Sequence, residues 1–378
     1  MRHPIAFIDL GRQQQRIRSS LDAAIARVLD RGEYIMGPEV AELEGRLAEF
    51  SGARHAITCA NGTDALMLAL MAKGLSAGDA VIMPSFTFCA TAEPVCLLGG
   101  VPIFADVLED TFNLDPLSLE AALRTAHRLG LPVRGVISVD LFGQPCDYDA
   151  VERFARENDL WLICDAAQAF GATYRGRKVG TIGDVTTTSF FPAKPLGCYG
   201  DGGAVFTNDS ETAEVIRSLR VHGKGKDKYD NVRVGMNGRL DTLQAAILLE
   251  KLAIFVDEID ARNSVAARYQ ELLPPNVKCP GIIDGATSVW AQYTVRVAGR
   301  TSWLSDLNER GVPAAVYYAR PLHQQKAYKG YPIAGERLAA SERLAQTVLS
   351  LPMHPYLVRE EQLWVADVCR RMSLVNSI

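Results

Sequence analysis

Residues 160–168 read Leu160-Trp-Leu-Ile-Cys-Asp165-Ala-Ala-Gln168, a short apolar run that ends in a carboxylate. Such a run is typical of a strand that is buried on both faces of a sheet. The predicted strands are His55–Cys59, Ala80–Met83, Val101–Ala105, Val133–Val139, Leu160–Cys164 and Ala204–Thr207. The predicted helices between them are Thr63–Lys73, Ala90–Leu98, Asp115–Thr125, Asp147–Glu157 and Ser210–Val221. This alternation predicts an α/β fold, with a mostly parallel central sheet and helices on both of its faces.

The two ends of the chain follow other patterns. The first 50 residues are helical with a break at Gly37-Pro38, and a long helix is expected over Arg239–Asp257. A strand at Gln292–Val297 follows, and then helices at Trp303–Arg310, Glu336–Val348 and Glu360–Arg370. We therefore expect a large domain over 51–239 and a smaller α+β C-terminal domain over 240–378. The helical segment 1–50 is expected to pack with the small domain.

Composition excludes several classes of protein. The chain has 378 residues, 48% of them apolar and 22% charged, and its net charge of −4 argues against binding of nucleic acid through a basic surface. No run approaches the roughly 20 apolar residues of a membrane span, and the N-terminus lacks the pattern of a signal peptide. The eight cysteines are scattered without a Cys-x-x-Cys pair, which argues against a metal site. These features predict a cytoplasmic protein without a metal, a nucleic-acid partner or a membrane partner.

A lysine between two prolines stands out in the run Ser189-Phe-Phe-Pro-Ala-Lys194-Pro-Leu-Gly197. Proline on either side keeps Lys194 out of a helix and places it in a fixed loop. Taken alone, Lys194 is an ordinary surface lysine, and Asp165 is a turn or cap carboxylate. Together they suit pyridoxal phosphate (PLP), which needs a carboxylate at its ring nitrogen and an amine that attacks its aldehyde.

The same sheet edge offers groups for the rest of that cofactor. Asn61-Gly62-Thr63 opens a helix whose free N–H groups suit a phosphate, and Ser189 adds a hydroxyl. Phe88 follows the next strand and suits stacking on a ring. Each also has a simpler interpretation, as an Asn-Gly turn, a strand serine or a core aromatic. Dinucleotide-binding and P-loop glycine motifs are absent from the sequence.

Four motifs resemble the DegT/DnrJ/EryC1/StrS sugar aminotransferase family. They are Asn61-Gly-Thr63-Asp-Ala, Asp165-Ala-Ala-Gln168, Ser189-Phe-Phe-Pro-Ala-Lys194-Pro-Leu-Gly197 and Val234-Gly-Met-Asn237-Gly-Arg239. Within that family, Cys198–Asp209 and the run from Leu240 are most similar to the UDP-2-acetamido-2-deoxy-ribo-hexuluronate (3-keto sugar) aminotransferases. The resemblance implies a PLP-dependent transferase of fold type I that forms a homodimer with shared active sites.

By the matched positions, Lys194 holds PLP as a Schiff base and Asp165 pairs with the pyridinium nitrogen. The further cofactor contacts that the resemblance implies are Gly62, Thr63, Phe88, Gln168, Ser189 and, from the partner chain, Asn237.

The substrate contacts that the resemblance implies are Gly32, Tyr34, Ala193, Arg239, Tyr317, Tyr318 and His323. Arg239 suits the carboxylate of an acidic sugar, because its guanidinium can bind a carboxylate with two hydrogen bonds. Members of the family often carry histidine and then tyrosine where this chain has Tyr317-Tyr318, and serine where it has Ala193. His323 either compensates for the missing histidine or is an ordinary loop residue.

The expected reaction transfers an amino group from L-glutamate to a UDP-linked 3-keto-hexuronic acid, for bacterial O-antigen or lipopolysaccharide biosynthesis. An aminotransferase for another nucleotide keto sugar (3- or 4-keto, UDP or dTDP) is the main alternative. A PLP-dependent sugar dehydratase is disfavoured, because histidine replaces the lysine in relatives of that kind. A PLP-sensing regulator would need a DNA-binding segment, and a non-catalytic PLP or nucleotide-sugar binding protein would not need the full set of cofactor residues.

Overall fold

The computed structural model of the protein describes residues 5–227 and 229–375. Its strands are β1 (His55–Cys59), β2 (Ala80–Pro84), β3 (Val101–Ala105), β4 (Val133–Val139), β5 (Trp161–Asp165), β6 (Thr173–Tyr174), β7 (Arg177–Lys178), β8 (Val185–Ser189), β9 (Gly203–Thr207), β10 (Tyr293–Arg296) and β11 (Val348–Leu351).

Its helices are α1 (Leu10–Arg16), α2 (Arg18–Arg31), α3 (Pro38–Ser51), α4 (Gly62–Ala72), α5 (Glu93–Leu97), α6 (Pro116–Leu129), α7 (Tyr148–Glu157), α8 (Ser210–Leu219), α9 (Thr242–Leu252), α10 (Phe255–Leu272), α11 (Arg300–Glu309), α12 (Ala339–Thr347) and α13 (Arg359–Val375).

The central sheet has seven strands in the order β1-β9-β8-β5-β4-β2-β3. Only β9 runs antiparallel to its neighbours, and the other pairs in the sheet are parallel. The predicted α/β fold with a mostly parallel sheet is therefore confirmed. Because six strands run in one direction, their carboxyl ends meet at one edge, where ligands bind in sheets of this kind.

All seven predicted strands are present, and their bounds shift by at most one residue. The strand β8, a hairpin of β6 and β7, and the strand β11 were not predicted. In β8 the run Val-Thr-Thr-Thr-Ser looks polar, yet its threonine hydroxyls bond to the main chain: Thr186 Oγ1 donates to Ile182 O at 3.0 Å and Thr188 Oγ1 to Ala166 O at 3.1 Å. These bonds let threonine occupy a buried strand.

Short acidic or amide side chains start the helices around the sheet. Asn61 accepts a hydrogen bond from Asp64 N at the start of α4, and Asp147 and Asp209 accept equivalent bonds at α7 and α8. The predicted helix Ala90–Leu98 was partly wrong: a 3₁₀ turn at Cys89–Thr91 precedes the short α5.

The predicted helix Arg239–Asp257 was also wrong, because two helices occupy this region. Residues before Thr242 stay extended, since Asp241 pairs with Ile35 and Thr242 N donates to Tyr34 O at 2.9 Å. The chain then leaves α9 at Ala253 and enters α10 after Ile254. Further on, α12 begins three residues later than predicted and ends one residue earlier, where Val348 opens strand β11.

The C-terminal part has an apolar core of its own. The strands β10 and β11 pair antiparallel, and Tyr269, Tyr293 and Trp303 lie in the core beside them. At the N-terminus, α2 packs on α9, whereas α3 places Leu43 and Leu47 in a core with residues of both the sheet and α9. The helix α3 thus contacts both predicted domains, and the boundaries at 50 and 239 stay a prediction.

Two searches of the described residues found nothing. None of the helices in 5–227 and 229–375 has both the length and the hydropathy of a membrane-crossing segment. Within the same residues, no three or more histidine, cysteine or acidic side chains form a group that could bind a metal ion.

Candidate active site

A cavity of about 690 Å³ lies at the carboxyl edge of the sheet. The strands β1, β2, β4, β5 and β8 deliver residues to it from their C-terminal ends, and the segment around residue 317 closes the opposite wall. The predicted site residues that line it are Gly62, Thr63, Phe88, Asp165, Gln168, Ser189, Ala193, Lys194, Tyr317 and Tyr318. The structure therefore brings every predicted cofactor residue to one place except Asn237.

Asp165 ends β5 and is only 7% exposed. Its Oδ1 accepts a hydrogen bond from Ala167 N at 3.1 Å, and its Oδ2 accepts one from Thr91 Oγ1 at 3.3 Å. Burial raises the pKa of the Asp165 carboxyl, while these two hydrogen bonds and the charge of Lys194 lower it. No salt bridge to Asp165 occurs among the residues that the structure describes. A buried carboxylate in this state suits a cationic N–H group on a ligand.

Lys194 lies in the irregular loop between β8 and β9. Its backbone N–H donates to Phe191 O at 2.8 Å, and Cys198 N donates to Phe190 O at 2.8 Å. Only glycine fits at position 197, because a Cβ there would lie 2.5 Å from Phe191 O. Burial lowers the pKa of the Lys194 amine, and the nearby Asp165 charge opposes that shift. A larger fraction of the amine is therefore unprotonated, as a nucleophile or base requires.

The first turn of α4 forms a cradle beside β8. A Cβ added at Gly62 would lie 2.7 Å from Ser189 Cβ, so only glycine allows this close approach. A Cβ at Gly203 would lie 2.5 Å from Asn61 O, which fixes the same turn from the other side. The first backbone N–H groups of an 11-residue helix and two hydroxyls, from Thr63 and Ser189, thus meet at one end of the cavity. This group suits a phosphate.

Aromatic and amide side chains form another wall. Phe88 is 53% exposed towards the cavity, and its ring centroid lies 6.1 Å from that of Tyr318. Gln168 is held at both ends, since its Nε2 donates to Tyr318 OH at 3.2 Å and its Oε1 accepts from Phe142 N at 2.7 Å. Burial raises the pKa of the Tyr318 hydroxyl, which stays protonated. The two hydrogen bonds of Gln168 thus fix this wall before a ligand binds.

Four other predicted residues lie outside the cavity, on a surface formed by residues 32–36 and 234–242. Asn237 is exposed, Tyr34 is 48% exposed, and Gly32 ends α2 in a left-handed conformation. Arg239 is partly buried, and its Nε has no hydrogen-bond partner among the described residues. Within one chain, none of these four residues lines the cavity.

His323 also lies outside the cavity, contrary to expectation. Its side chain is 9% exposed, its Nδ1 lies 2.6 Å from Ser85 Oγ, and its Nε2 lies 3.5 Å from Glu342 Oε1. The contact with Ser85 holds the ring on one side, whereas Nε2 lies near Glu342 without a hydrogen-bond partner among the described residues.

Sequence reasoning missed several residues that the cavity contains. Asp201 and Gln292 line it, and Thr91 donates a hydrogen bond to the carboxylate of Asp165. Thr91 had a usable signal, because it follows strand β2 at the same sheet edge as Phe88. Gln292 had none, since the C-terminal part brings it to the site from far along the chain.

The described residues fit PLP. Its phosphate matches the cradle at Gly62 and Ser189, its basic ring nitrogen matches the buried carboxylate of Asp165, and its aldehyde matches the amine of Lys194. The last two groups lie close enough for the charge of each to shift the pKa of the other.

Comparison with known proteins gives matches over nearly the whole chain. The model of the DegT/DnrJ/EryC1/StrS aminotransferase family matches residues 15–370. The UDP-2-acetamido-2-deoxy-3-oxo-D-glucuronate aminotransferase of Pseudomonas aeruginosa is 50% identical over 356 residues, which cover 93% of this chain and 96% of that protein.

Solved structures match equally well. A DegT DnrJ EryC1 StrS aminotransferase from Brucella abortus has a TM-score of 0.96 and 49% identity, over 97% of this chain and 99% of that one. The structure of S. venezuelae DesV in complex with a ketimine intermediate has a TM-score of 0.93 and 39% identity, over 98% and 99% of the two chains.

Proposed function

Because the chain belongs to the DegT/DnrJ/EryC1/StrS aminotransferase family, we propose that it transfers an amino group from L-glutamate to a UDP-linked 2-acetamido-2-deoxy-3-oxo-glucuronic acid. The protein is a PLP-dependent nucleotide-sugar aminotransferase. One observation carries the site assignment: Asp165, Lys194 and the phosphate cradle at Gly62 line a single cavity. The product would be the corresponding 3-amino sugar nucleotide, a precursor for bacterial O-antigen polysaccharide.

In the proposed mechanism the chain's own groups hold the cofactor at three points. Gly62, Thr63 and Ser189 bind the phosphate, Phe88 and Gln168 flank the ring, and Asp165 keeps a proton on the ring nitrogen. When bound, PLP supplies an aldehyde carbon that condenses with amines and a ring that withdraws electrons from the attached carbon. The bonds from Ala167 N and Thr91 Oγ1 favour the ionised form of Asp165, which this role requires.

Lys194 is the proposed acid and base of both half-reactions. Its Nζ would take the proton from the α-carbon of glutamate and pass it to the carbon that PLP contributes in the first half-reaction, and would carry a proton from that carbon to C3 of the sugar in the second. The lowered pKa of the Lys194 amine makes its unprotonated form available for the first of these steps. Gln168, which is 6% exposed, and Tyr318 line the same cavity as this amine.

We propose that Arg239 binds the carboxylate of the sugar from a partner subunit in a homodimer. Supporting this, the Arg239 Nε is buried without a partner among the described residues. The surface around it exposes apolar side chains to an unusual extent: Ile35 is 50% exposed, Met36 41% and Val234 89%. A second copy that covers this surface would bring Asn237 and Arg239 to the neighbouring cavity.

Subunit mixing tests the shared site. Variants Lys194→Ala and Asn237→Ala are each expected to be inactive or nearly so. Mixed and re-associated dimers would contain some sites with both native residues, so activity should return to about a quarter of the wild-type level by random pairing. Mixtures that stay inactive although the dimers exchange would contradict the homodimer proposal.

Substrate assays test the reaction itself. The purified protein, supplied with PLP and glutamate, is given UDP-2-acetamido-2-deoxy-3-oxo-glucuronate, and the product is identified by mass and NMR. The UDP-3-keto sugar without the carboxylate and dTDP-linked 3- and 4-keto sugars serve as comparisons. A marked preference for the uronic acid is expected. Equal use of the uncharged sugar, or preference for a dTDP sugar, would contradict the proposal that the substrate is acidic. Tyr317 and Ala193 make this assay informative, because both positions line the cavity and depart from the family pattern.

The proposal places this reaction in the cytoplasm. The eight free cysteines of the described residues, five of them buried, suit a reducing compartment.

A further inference from the structure

A segment of nine residues, 315–323, which we call the strap, carries two residues of the cavity lining and is anchored at both ends. At its start Ala315 exchanges two hydrogen bonds with Ser350 of β11, at 2.8 and 3.2 Å. Near its end, Leu322 N donates to Ser85 O at 2.8 Å. Tyr317 and Tyr318, which line the cavity, lie between these anchors. The position of these two rings therefore depends on how firmly the strap is held.

His323 and Ser85 form the second contact at the far anchor. Ser85 is fully buried, and its Oγ accepts a hydrogen bond from His323 N at 3.2 Å and lies 2.6 Å from His323 Nδ1. Because Oγ already accepts from the backbone, its own proton is free to donate to Nδ1. Nδ1 is then an acceptor and the ring carries its proton on Nε2.

That tautomer directs the ring N–H towards an acidic group on the other side. Glu342 Oε1 lies 3.5 Å from His323 Nε2, a charge contact without a hydrogen bond, and Oε2 of the same carboxylate pairs with Arg337 Nη2 at 2.6 Å. The hydrogen bond from Arg337 lowers the pKa of the Glu342 carboxyl, and burial opposes this shift without cancelling it. The carboxylate is therefore ionised. Glu342 belongs to α12, whose first turn is bound by Asp106 through the N–H groups of Ala340 and Ser341.

Ser85 also belongs to the segment that leads to Phe88, which lines the cavity. It follows β2 directly, and three residues later the chain reaches Phe88. The ring centroid of Tyr318 lies 6.2 Å from that of Phe86 and 6.1 Å from that of Phe88. One serine thus joins the segment that carries Phe88 to the strap that carries Tyr318.

We propose that His323 is a positioning residue for the substrate: through Ser85 it fixes the spacing between the Phe88 wall and the Tyr317-Tyr318 strap. It acts without contacting the sugar. The Ser85–His323–Glu342 set is not a nucleophilic triad, because Ser85 is 0% exposed and no substrate atom can reach its Oγ. This inference rests on the proposed function, since Phe88, Tyr317 and Tyr318 line the cavity that the keto sugar would enter.

Two amide substitutions separate the two contacts of the ring. His323→Asn places an amide oxygen near the position of Nδ1, so it keeps the acceptor for Ser85 and loses the contact with Glu342. His323→Gln reaches the position of Nε2, so it keeps the contact with Glu342 and loses the acceptor for Ser85. The kinetics of both variants are compared with wild type at saturating glutamate.

We expect His323→Asn to leave KM for the keto sugar within about twofold, while His323→Gln raises it roughly fivefold or more with a smaller change in kcat, as loss of one hydrogen bond implies. Ser85→Ala should match His323→Gln. An equal KM in all variants, or a His323→Asn variant as impaired as His323→Gln, would overturn the proposal.

Hydrogen exchange of the cofactor-free protein gives an independent readout. The backbone amides of Leu322 and His323 should exchange faster in His323→Gln than in His323→Asn, with no change at β10. If wild type does not aminate the keto sugar, the proposed function fails, and this comparison still decides whether the Ser85 contact holds the strap. Equal exchange in the two variants would show that it does not.

Discussion

Replacement of Gly62 by alanine should weaken PLP binding through one steric contact. The new Cβ would lie 2.7 Å from Ser189 Cβ, whereas carbon atoms in ordinary contact are about 3.5–4.0 Å apart, so the two groups must separate by roughly 1 Å. Ser189 cannot retreat easily, because it pairs with Gly203 inside the sheet. Overpacking of this kind costs about 1–3 kcal/mol, which corresponds to roughly 5- to 150-fold weaker binding if the cradle opens.

The assay titrates cofactor-free protein with PLP and follows the visible absorption band, with thermal unfolding in parallel. Gly45→Ala is the matched control, since nothing lies within 4 Å of a Cβ at this helical position. It should retain wild-type affinity and gain about 0.5–1 kcal/mol of stability.

A double variant identifies the clash as the cause. If Ser189 Cβ is the obstacle, Gly62→Ala should add little to the loss that Ser189→Gly causes alone. Wild-type affinity in Gly62→Ala, or fully additive losses in the double variant, would refute the steric reasoning and the placement of the phosphate.

Two further predictions concern carboxylates. Asp140 is fully buried, with Oδ1 bound to Tyr148 OH and Cys146 N, and burial raises its pKa to about 7 from 3.8. Because the folded pKa of Asp140 is raised, its full contribution to stability is present below pH about 4 and is lost as the pH rises to about 7. The free energy of unfolding of Asp140→Asn should therefore exceed that of wild type by up to a few kcal/mol at pH 8, with a higher unfolding temperature, and the difference should vanish near pH 4. A constant difference across this range in calorimetry would contradict the assignment. Asp165→Asn keeps an acceptor for Ala167 N but no negative charge, so PLP should still bind, measured by absorbance, while turnover falls roughly 100-fold or more; unchanged turnover would exclude Asp165 as the partner of the ring nitrogen.

Local patterns in the sequence predicted the sheet well but predicted β8 poorly. The apolar runs at β1, β3 and β4 coincide with the observed strands, because each strand is buried on both faces and must be apolar. The threonines of β8 satisfy their hydroxyls only through backbone groups of other segments. That compensation depends on tertiary structure, so no local pattern reports it.

The late start of α9 has a similar origin. The segment from Arg239 has helical composition throughout, yet the bridge between Ile35 and Asp241 delays the helix to Thr242. Partners 200 residues away in sequence decide such boundaries.

In the site, sequence motifs identified the residues expected to react with the cofactor. Contacts between distant parts of the chain determine where the other predicted residues lie. Lys194 and Asp165 stand out by flanking residues and by strand position, both of which are local. The sequence left two interpretations of His323 open, because its contacts, Ser85 and Glu342, lie far from it along the chain and nothing beside it in sequence indicates a buried ring. The roles of Asn237 and Arg239 depend on a second subunit and stay a prediction.

Chemical labelling tests the central assignment most directly. The protein is loaded with PLP and reduced with borohydride, which makes the lysine linkage permanent, and the labelled peptide is sequenced by mass spectrometry. Lys251 is the informative competitor, because it is buried and its pKa is lowered to about 8 by burial. The label is expected on Lys194 alone. A label on Lys251, or no label on a protein that retains the cofactor, would contradict the account.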